Sequence, residues 1–187
     1  MIIERDVETQ NPFFSKFNEQ PRVYAFHNQI HFLLKSVEEH RYIHPKINST
    51  VFIQDFTPFE HVDVYAQAQF QSGNLDAGEF DVLTRLAKVI DDQFIVPKML
   101  IYREISFDEI CNRMKKRGRR SELKLLSSEE GLAYLKVLVN TFDLWIHDWT
   151  RSPIIRIPAE FDVFSEGERI RNIATQIETL LQSSAMG

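Results

Sequence analysis

Cysteine is nearly absent from this sequence of 187 residues, in which Cys111 is the single thiol. One thiol cannot form an internal disulfide, and its presence alone fits a reducing compartment, so a cytoplasmic protein is expected. The sequence also has no apolar run of spanning length and no basic-then-apolar start of the kind that directs secretion. Neither membrane insertion nor export is therefore expected.

An excess of positive charge is missing as well, because 22 basic and 27 acidic side chains give a formal net charge of -5. A general nucleic-acid binder would carry a broadly basic face, so no nucleic-acid partner is expected. The remaining composition is that of an ordinary globular protein, with 43% hydrophobic and 26% charged residues. The length predicts a single domain over residues 1–182, followed by a disordered tail at residues 183–187.

Short apolar runs alternate with longer periodic segments along the chain. The short runs predict buried β-strands at residues 1–3, 50–54, 98–105 and 153–157. Apolar residues at three- and four-residue steps predict helices at residues 22–41, 59–71, 76–94, 107–116, 132–149 and 166–181, and the fifth of these has its start at residues 127–130. This alternation predicts an α/β fold with three layers, in which a parallel sheet is flanked by helices. Its chemistry is expected where strands end, near Glu4 and Asp55.

The first long helix contains a glutamine near its apolar side. The residues expected to face the core are Val23, Phe26, Ile30, Leu33, Leu34 and Val37. A buried amide needs partners for its donor and its acceptor, so Gln29 is either paired in the core or kept for a ligand. Spacing alone favours the core. His27 and His31 stand four apart, but no third ligand is placed, so no metal site is predicted.

Residues 113–124 gather seven basic side chains against one acid, Glu122. Arginine suits phosphate oxygens because its planar guanidinium offers paired donors and stays charged. One interpretation is a solvated, basic helix end, which is the usual role of a charge run. The other is a mobile, arginine-rich flap over a phosphate, which is favoured by the preceding strand and helix and by Gly118 in the middle of the run.

Four groups of residues occur in the order and at the spacings of a known family. They are Asn11-Pro12-Phe13-Phe14 with Phe17, Tyr24-Ala25-Phe26-His27-Asn28-Gln29, Gln54-Asp55, and the basic segment from Arg113 to Glu122. Together with the preceding Leu-Ile-Tyr strand they resemble the deoxynucleoside kinase family of the P-loop kinase superfamily, over nearly the whole chain. The resemblance implies transfer of the ATP γ-phosphoryl group to a deoxyribonucleoside 5′-hydroxyl, with Mg²⁺.

The resemblance also implies a role for individual residues. Glu4 matches the carboxylate that takes the proton from the 5′-hydroxyl, and Gln29 matches the side chain that pairs with the base, with Phe26 beside it in the pocket wall. Asp55 occupies the acidic position of the Asp/Glu-Arg-Ser motif, and Glu122 matches an acid that touches the sugar. The family's lid contacts the donor phosphates, and the matching residues are Arg113, Arg117, Arg119 and Arg120, with Arg117 and Arg119 in catalysis.

Three features differ from the pattern of that family. No Gly-x-x-x-x-Gly-Lys-Ser/Thr segment precedes Glu4, although such a segment supplies the backbone donors, the lysine and the hydroxyl that hold a nucleotide. Phe56 stands where the family has an arginine after the acid of the motif. Asn18 stands where the family usually has a sugar-binding tyrosine.

These differences predict a domain that lacks its first strand and phosphate loop, is truncated or degenerate, and does not turn over as this chain. The alternative hypothesis is a non-catalytic pseudokinase with an interaction or regulatory role, which dimerises or is completed by a partner. The resemblance implies a deoxyribonucleoside as ligand, ATP and Mg²⁺ as cofactors of the family, and a homodimer through the helices at residues 22–41 and 59–71.

Overall fold

The computed structural model describes residues 2–3, 10–158 and 167–183, with the backbone alone at residues 2, 3 and 183. Glu4 lies outside the described residues, and so do residues 184–187 of the predicted tail. The chain forms two compact units. The first consists of Met1–Ile95 and Arg119–Asp148, and the second of Val96–Gly118 and Trp149–Gly187.

The described elements alternate much as the sequence predicts. The strands are β1 (Ile2–Ile3), β2 (Ile53–Gln54), β3 (Leu100–Arg103) and β4 (Ile154–Ile157). The α-helices are α1 (Phe14–Glu19), α2 (Pro21–Ile43), α3 (Gln67–Gln71), α4 (Ala77–Ile90), α5 (Phe107–Arg117), α6 (Arg120–Leu126), α7 (Glu129–Asp148) and α8 (Gly167–Ser183). Short 3₁₀ turns follow α2 and α4, and a π-helix at His61–Ala66 runs directly into α3. No helix in the described ranges combines the length and the apolar character that crossing a lipid bilayer requires.

Each unit contains one pair of parallel strands. In the first unit β1 pairs with β2, with Ile2 opposite Ile53 and Ile3 opposite Gln54. In the second unit β3 pairs with β4 over four residues each, and backbone hydrogen bonds from Leu100 and Glu104 extend this ladder to Pro153 and Ile157. The predicted parallel pairing is therefore confirmed. The ladders are shorter than the apolar runs, because a run of apolar residues does not fix how many of them meet a partner strand.

The core of the first unit lies where α2, α4 and the π-helix meet. Its buried members are Ala25, Leu33, Val62, Ala66, Leu75 and Leu83. The predicted inner face of α4 is confirmed, since its other apolar residues pack against this cluster: Phe80, Leu86, Ala87 and Ile90. The helix begins where predicted because Asp76 and Glu79 form a reciprocal capping box, each side chain accepting from the other's backbone N–H.

The predicted apolar stripe of α2 was wrong at two positions, because Val23 and Leu34 are 54% and 57% exposed. The face that α2 buries is partly polar and consists of Ala25, Asn28, Gln29, Leu33, Ser36, His40 and Ile43. Polar residues can lie there because other segments provide partners. The Nδ1 atom of His40, for example, accepts a hydrogen bond of 2.9 Å from the Ile95 N–H. A periodicity count cannot detect such long-range partners.

The segment predicted as a helix at residues 59–71 is only partly α-helical, because His61–Ala66 form a π-helix. Short π-helical segments are rare and are often found near functional sites. The following α3 is joined to α7 and to the next turn by Gln69. Its Nε2 donates to the Tyr134 hydroxyl at 2.8 Å, and its Oε1 accepts from Asn74 Nδ2 at 2.8 Å. Burial raises the pKa of Tyr134, and the hydrogen bond from Gln69 opposes that change.

The predicted flap at residues 113–124 is helical on both sides of Gly118. The last turn of α5 closes at Gly118, which has a φ of 72° and donates its N–H to the Met114 carbonyl at 3.0 Å. Glycine adopts this left-handed backbone without the penalty of a side chain, which is why it ends many helices. Arg119 then precedes α6. The arginine run is thus divided between the end of α5 and the beginning of α6.

Candidate functional site

Gln29 has a buried side-chain amide whose acceptor oxygen lacks a hydrogen-bond partner in the described part of the chain. Its side chain lies on the inner face of α2, where the residue is 3% exposed, and its Oε1 atom has no hydrogen-bond partner among the residues that the structure describes. A buried acceptor without a partner costs about 1–3 kcal/mol. The core explanation for Gln29 requires a partner for this oxygen. The geometry therefore favours the other explanation, in which the amide is kept for a ligand.

A buried pair of asparagines lies next to Gln29. The Nδ2 of Asn11 donates to the Oδ1 of Asn28 at 2.7 Å, and the Oδ1 of Asn11 accepts from the Phe13 N–H at 2.9 Å. The Asn-Pro-Phe-Phe segment is thereby held against α2 immediately before Gln29. Local sequence patterns do not predict this contact, because the two asparagines are 17 residues apart and neither stands in an apolar pattern.

Aromatic side chains surround the same part of α2. Phe26 is partly buried and packs against the core cluster one turn before Gln29. The Phe13 ring lies 5.4 Å from the ring of His27 and 6.4 Å from that of His31. Burial lowers the pKa of His31, and the positive charge of Lys35 acts in the same direction.

The loop after β2 carries Asp55 and Phe56. Asp55 is exposed and forms no hydrogen bond or ion pair with other residues of the described ranges. Phe56 has a φ of 64°, a backbone conformation that costs energy for a residue with a side chain. Its ring lies 5.7 Å from that of Tyr65 on the π-helix. The loop closes through Glu60, whose carboxylate accepts from the N–H and the hydroxyl of Thr57 at 3.0 and 3.1 Å.

The strand that precedes this loop is tied to α2 near its other end. Gln54 Nε2 donates to Glu39 Oε2 at 2.9 Å, which fixes the end of β2 beside the last third of α2. Gln29 lies ten residues earlier on that helix, which corresponds to about 15 Å along its axis. In the described part of the chain no hydrogen bond joins Gln29 to Asp55. The structure thus brings Gln29 and Phe26 together on one helix, and it places Asp55 in the same unit without a direct contact.

The residues of the first unit that are predicted to belong to a lid lie at the beginning of α6. Arg119 Nη1 is 3.6 Å from Glu122 Oε1, and the Glu122 side chain is only 15% exposed. Arg120 is exposed and has no hydrogen-bond or ion-pair partner among the described residues. Lys124 Nζ donates to the Asn18 carbonyl at 2.8 Å, which joins α6 to the end of α1. Asn18 therefore contacts this helix through its backbone.

The residues of the second unit that are predicted to belong to a lid lie on α5. Arg113 Nε pairs with Glu109 Oε1 at 2.7 Å, one turn earlier on the same helix. Arg117 is exposed in the last turn of α5. Side chains at this end of a helix face the negative end of its dipole, which favours a basic cluster there without a ligand. Arg113 is thus engaged by its own helix.

The sequence of this chain is similar to those of known proteins. A family model described as deoxynucleoside kinase matches residues 2–182. A deoxyadenosine/deoxycytidine kinase of Bacillus subtilis (strain 168) is 27% identical over 177 residues, which are 93% of this chain and 78% of that protein.

Solved structures show the same architecture. Two structures of a deoxyadenosine kinase from M. mycoides, one with bound dCTP and one with bound dATP, are 23% and 24% identical to this chain. Each alignment covers 94% of this chain and 86% of the other, with a TM-score of 0.72. The chain therefore has a helix-rich α/β fold of the P-loop kinase type, with parallel strands.

Proposed function

The chain belongs to the deoxynucleoside kinase family, and from this premise we propose that its first unit binds a deoxyribonucleoside through Gln29. The buried, unmet Oε1 of Gln29 is the observation that carries the proposal. Every nucleobase edge has N–H donors and acceptors, and an amide can meet one of each. Phe26, one turn away, forms part of the apolar wall beside the base.

The remaining site residues have roles in the same proposal. In the kinase reaction of the family, which requires a bound phosphate donor, Glu4 would accept the proton of the 5′-hydroxyl. Asp55 lies near the reacting end of the nucleoside, and Glu122 contacts the sugar. Each unit separately carries arginines that suit phosphate oxygens, because a guanidinium neutralises negative charge. They are Arg113 and Arg117 in the second unit and Arg119 and Arg120 in the first, and Arg117 and Arg119 would act in catalysis in the family's reaction. Arg113 must exchange its pairing with Glu109 for a phosphate to take part.

ATP and Mg²⁺ are the cofactors of kinases of this kind, but the residues present here do not fit them. The 187 residues contain no Gly-x-x-x-x-Gly-Lys-Ser/Thr segment. The described ranges contain no group of three or more His, Cys, Asp or Glu residues placed to hold a metal ion. Phe56 offers no cation beside Asp55. We therefore propose that these 187 residues alone bind the acceptor and do not transfer phosphate.

Titration and turnover assays test the two parts separately. Isothermal titration with the four deoxynucleosides is expected to show binding of at least one, and Gln29→Leu is expected to abolish it. Incubation with ATP, Mg²⁺ and the same nucleosides is expected to give no monophosphate. Absence of binding in the unaltered chain would refute the acceptor site. Turnover at an ordinary kinase rate of about 1–100 s⁻¹ would refute the inactivity.

A non-catalytic, dimeric interaction protein is the second candidate. Its specific support is the outward position of Val23 and Leu34, which are 54% and 57% exposed and lie three helical turns apart on one side of α2. The segment at residues 59–71 offers less apolar surface, because Val62, Val64 and Ala66 belong to the interior. We propose that a homodimer would form mainly through this face of α2.

Sedimentation tests the dimer with matched variants. Leu34→Glu is expected to convert a dimer to a monomer, because a charge would be buried in the interface. Val89→Glu introduces the same charge at a position of α4 that is 75% exposed, and it is expected to leave the association unchanged. A monomeric unaltered chain, or equal effects of both substitutions, would rule out this interface.

A further inference from the structure

The hydrogen bonds around Asn11 fix the orientation of two buried amides. A backbone N–H can only donate, so the Phe13 N–H determines that Asn11 presents Oδ1 to it, at 2.9 Å. The Nδ2 of Asn11 therefore points to Asn28. Since Nδ2 can only donate, Asn28 must present its own Oδ1, at 2.7 Å. The donor character of the Phe13 N–H thus determines the orientation of both the Asn11 and the Asn28 side-chain amide.

This orientation leaves the Nδ2 group of Asn28 available. Asn28 is 2% exposed, and its Nδ2 forms no hydrogen bond with the other residues that the structure describes. The next residue is Gln29, whose buried Oε1 is also unmet. Two adjacent residues on the inner side of α2 therefore have one unmet donor group and one unmet acceptor. The buried Oε1 of Gln29 costs free energy while it lacks a partner. A ligand with an acceptor for Asn28 Nδ2 and a donor for Gln29 Oε1 would satisfy both side chains.

We propose that Asn28 is a second base-contacting residue, which donates from Nδ2 to an acceptor of the nucleobase, and that Asn11 is the positioning residue that fixes this polarity. The inference rests on the proposed function, because it adds a contact to the acceptor site of Gln29. A donor next to an acceptor matches a base edge on which an acceptor adjoins an amino group, as in adenine and cytosine. Guanine differs in having two adjacent N–H donors on its pairing edge.

Two single substitutions reverse the polarity of the group that Asn28 presents. Asn28→Asp keeps an oxygen for Asn11 Nδ2 and replaces the available donor by an acceptor. Asn11→Asp keeps an oxygen for the Phe13 N–H, but its other oxygen can only accept. The side-chain amide of Asn28 must then flip. Its Nδ2 donates to the aspartate at position 11, and its Oδ1 faces the ligand instead of Nδ2. A residue that does not contact the base is thus expected to change base preference in the same direction as one that does.

The test is the dissociation constant for each of the four deoxynucleosides, measured by titration calorimetry on the full chain. In both variants the preference for deoxyadenosine or deoxycytidine over deoxyguanosine is expected to fall about tenfold relative to the unaltered chain. Asn74→Asp is the matched control, because Asn74 Nδ2 also donates to a buried amide, Gln69 Oε1, outside this group of residues. It is expected to leave the ratios unchanged.

Partial unfolding of a variant does not obscure this result. The preference is a ratio of two dissociation constants of the same protein, so a smaller folded fraction affects both constants alike. Uniform weakening for all four nucleosides, or a changed ratio in Asn28→Asp but not in Asn11→Asp, would overturn the inference and leave the acceptor site in place. If the unaltered chain binds no deoxynucleoside, the proposed function and this inference both fail.

Discussion

Gln29 and Gln69 are both buried amides of the first unit, and they differ in what their polar atoms contact. Gln69 is satisfied at both ends, by Tyr134 and by Asn74. The Oε1 of Gln29, by contrast, has no hydrogen-bond partner among the residues that the structure describes. A satisfied amide holds elements together, whereas an unmet one reduces the stability of the ligand-free protein. The same residue type therefore serves the fold at one position and is expected to serve a ligand at the other.

Substitution by methionine, which is similar in volume, should separate these two roles. Gln29→Met removes an unmet acceptor and is expected to raise the free energy of unfolding by about 1 kcal/mol while deoxynucleoside binding is lost. Gln69→Met removes the hydrogen bonds of Gln69 to Asn74 and Tyr134. This substitution is expected to lower the free energy of unfolding by about 1–3 kcal/mol. Both values are measured by urea denaturation without ligand. A destabilised Gln29→Met would show that its amide is engaged within the fold.

His31 gives a prediction for pH dependence. Burial lowers its pKa from the ordinary value of 6.5, so the unfolded chain binds a proton at a pH at which the folded chain does not. The stability associated with a neutral His31 is fully present above pH 6.5 and is lost as the pH falls through 6.5 towards the lower pKa of the folded state. Acidification below neutrality is therefore expected to destabilise the protein through this residue.

The measurement compares unfolding free energies of the unaltered chain and His31→Gln between pH 7.5 and pH 5. The variant is expected to show a shallower decline, and the difference in slope cannot exceed about 1.4 kcal/mol per pH unit, which is the value for one proton. His147→Gln is the control, because His147 is exposed at the end of α7. Equal slopes for the unaltered chain and His31→Gln would contradict the prediction.

At the scale of elements, the close approach of α6 to α7 depends on Gly131. A Cβ atom built there would overlap the Leu125 carbonyl, and it would lie 2.8 Å from the Leu125 Cα. The Gly131 N–H also donates to Ser128 Oγ at 3.0 Å, at the beginning of α7. The position of the helix that carries Arg120 and Glu122 is thus determined by the absence of one side chain.

Gly131→Ala is expected to displace α6 and to cost about 1–3 kcal/mol of stability, because the added methyl group meets rigid backbone. Alanine in place of glycine inside a helix otherwise stabilises by about 0.5–1 kcal/mol, so the sign of the change is diagnostic. Urea denaturation gives the value, and hydrogen exchange of the Leu123 amide in α6 reports the local effect. Asn140→Ala, at an exposed position of α7, is expected to be close to neutral. A more stable Gly131→Ala would contradict the close contact.

Several elements follow directly from local sequence. The inner face of α4 is predicted by apolar spacing, and its beginning is stabilised by the capping residues Asp76 and Glu79, because both signals lie within a few residues of each other. The buried face of α2 is not predictable in this way. Its polar residues are accepted because Asn11 and Ile95 provide partners from elsewhere in the chain. The π-helix at His61–Ala66 is likewise a result of tertiary packing, which overrides local propensity.

At the scale of the whole molecule, the family was recognisable from a few motifs, and the parallel strand pairing from the alternation of short apolar runs with periodic helical segments. The candidate site was recognisable only in part. Gln29 and the arginines stand in those motifs, so their residue types could be assigned to base and phosphate contacts. The sequence does not reveal which polar atoms have a hydrogen-bond or ion-pair partner in the folded protein. The orientation of Asn28, the engagement of Arg113 and the free Oε1 of Gln29 each depend on three-dimensional neighbours.

Ligand-dependent thermal stability tests the whole chain without any substitution. A deoxynucleoside that binds the folded state alone, at 100 times its dissociation constant, adds about 2.7 kcal/mol of stability. For a chain of this length that corresponds to a rise of about 5–10 °C in Tm. ATP with Mg²⁺ is expected to give a much smaller rise, because these residues lack the phosphate-binding segment. The measurement is a melting curve with each ligand at several concentrations.

The pattern of the two responses distinguishes the candidate functions. A rise with a deoxynucleoside, absent in Gln29→Met, and none with ATP supports an acceptor site without a donor site. Comparable rises with both ligands would mean that a triphosphate binds without the usual loop, and turnover should then be sought. No rise with either ligand favours the dimeric interaction protein, since the unmet amides of α2 would then have no nucleoside to recognise.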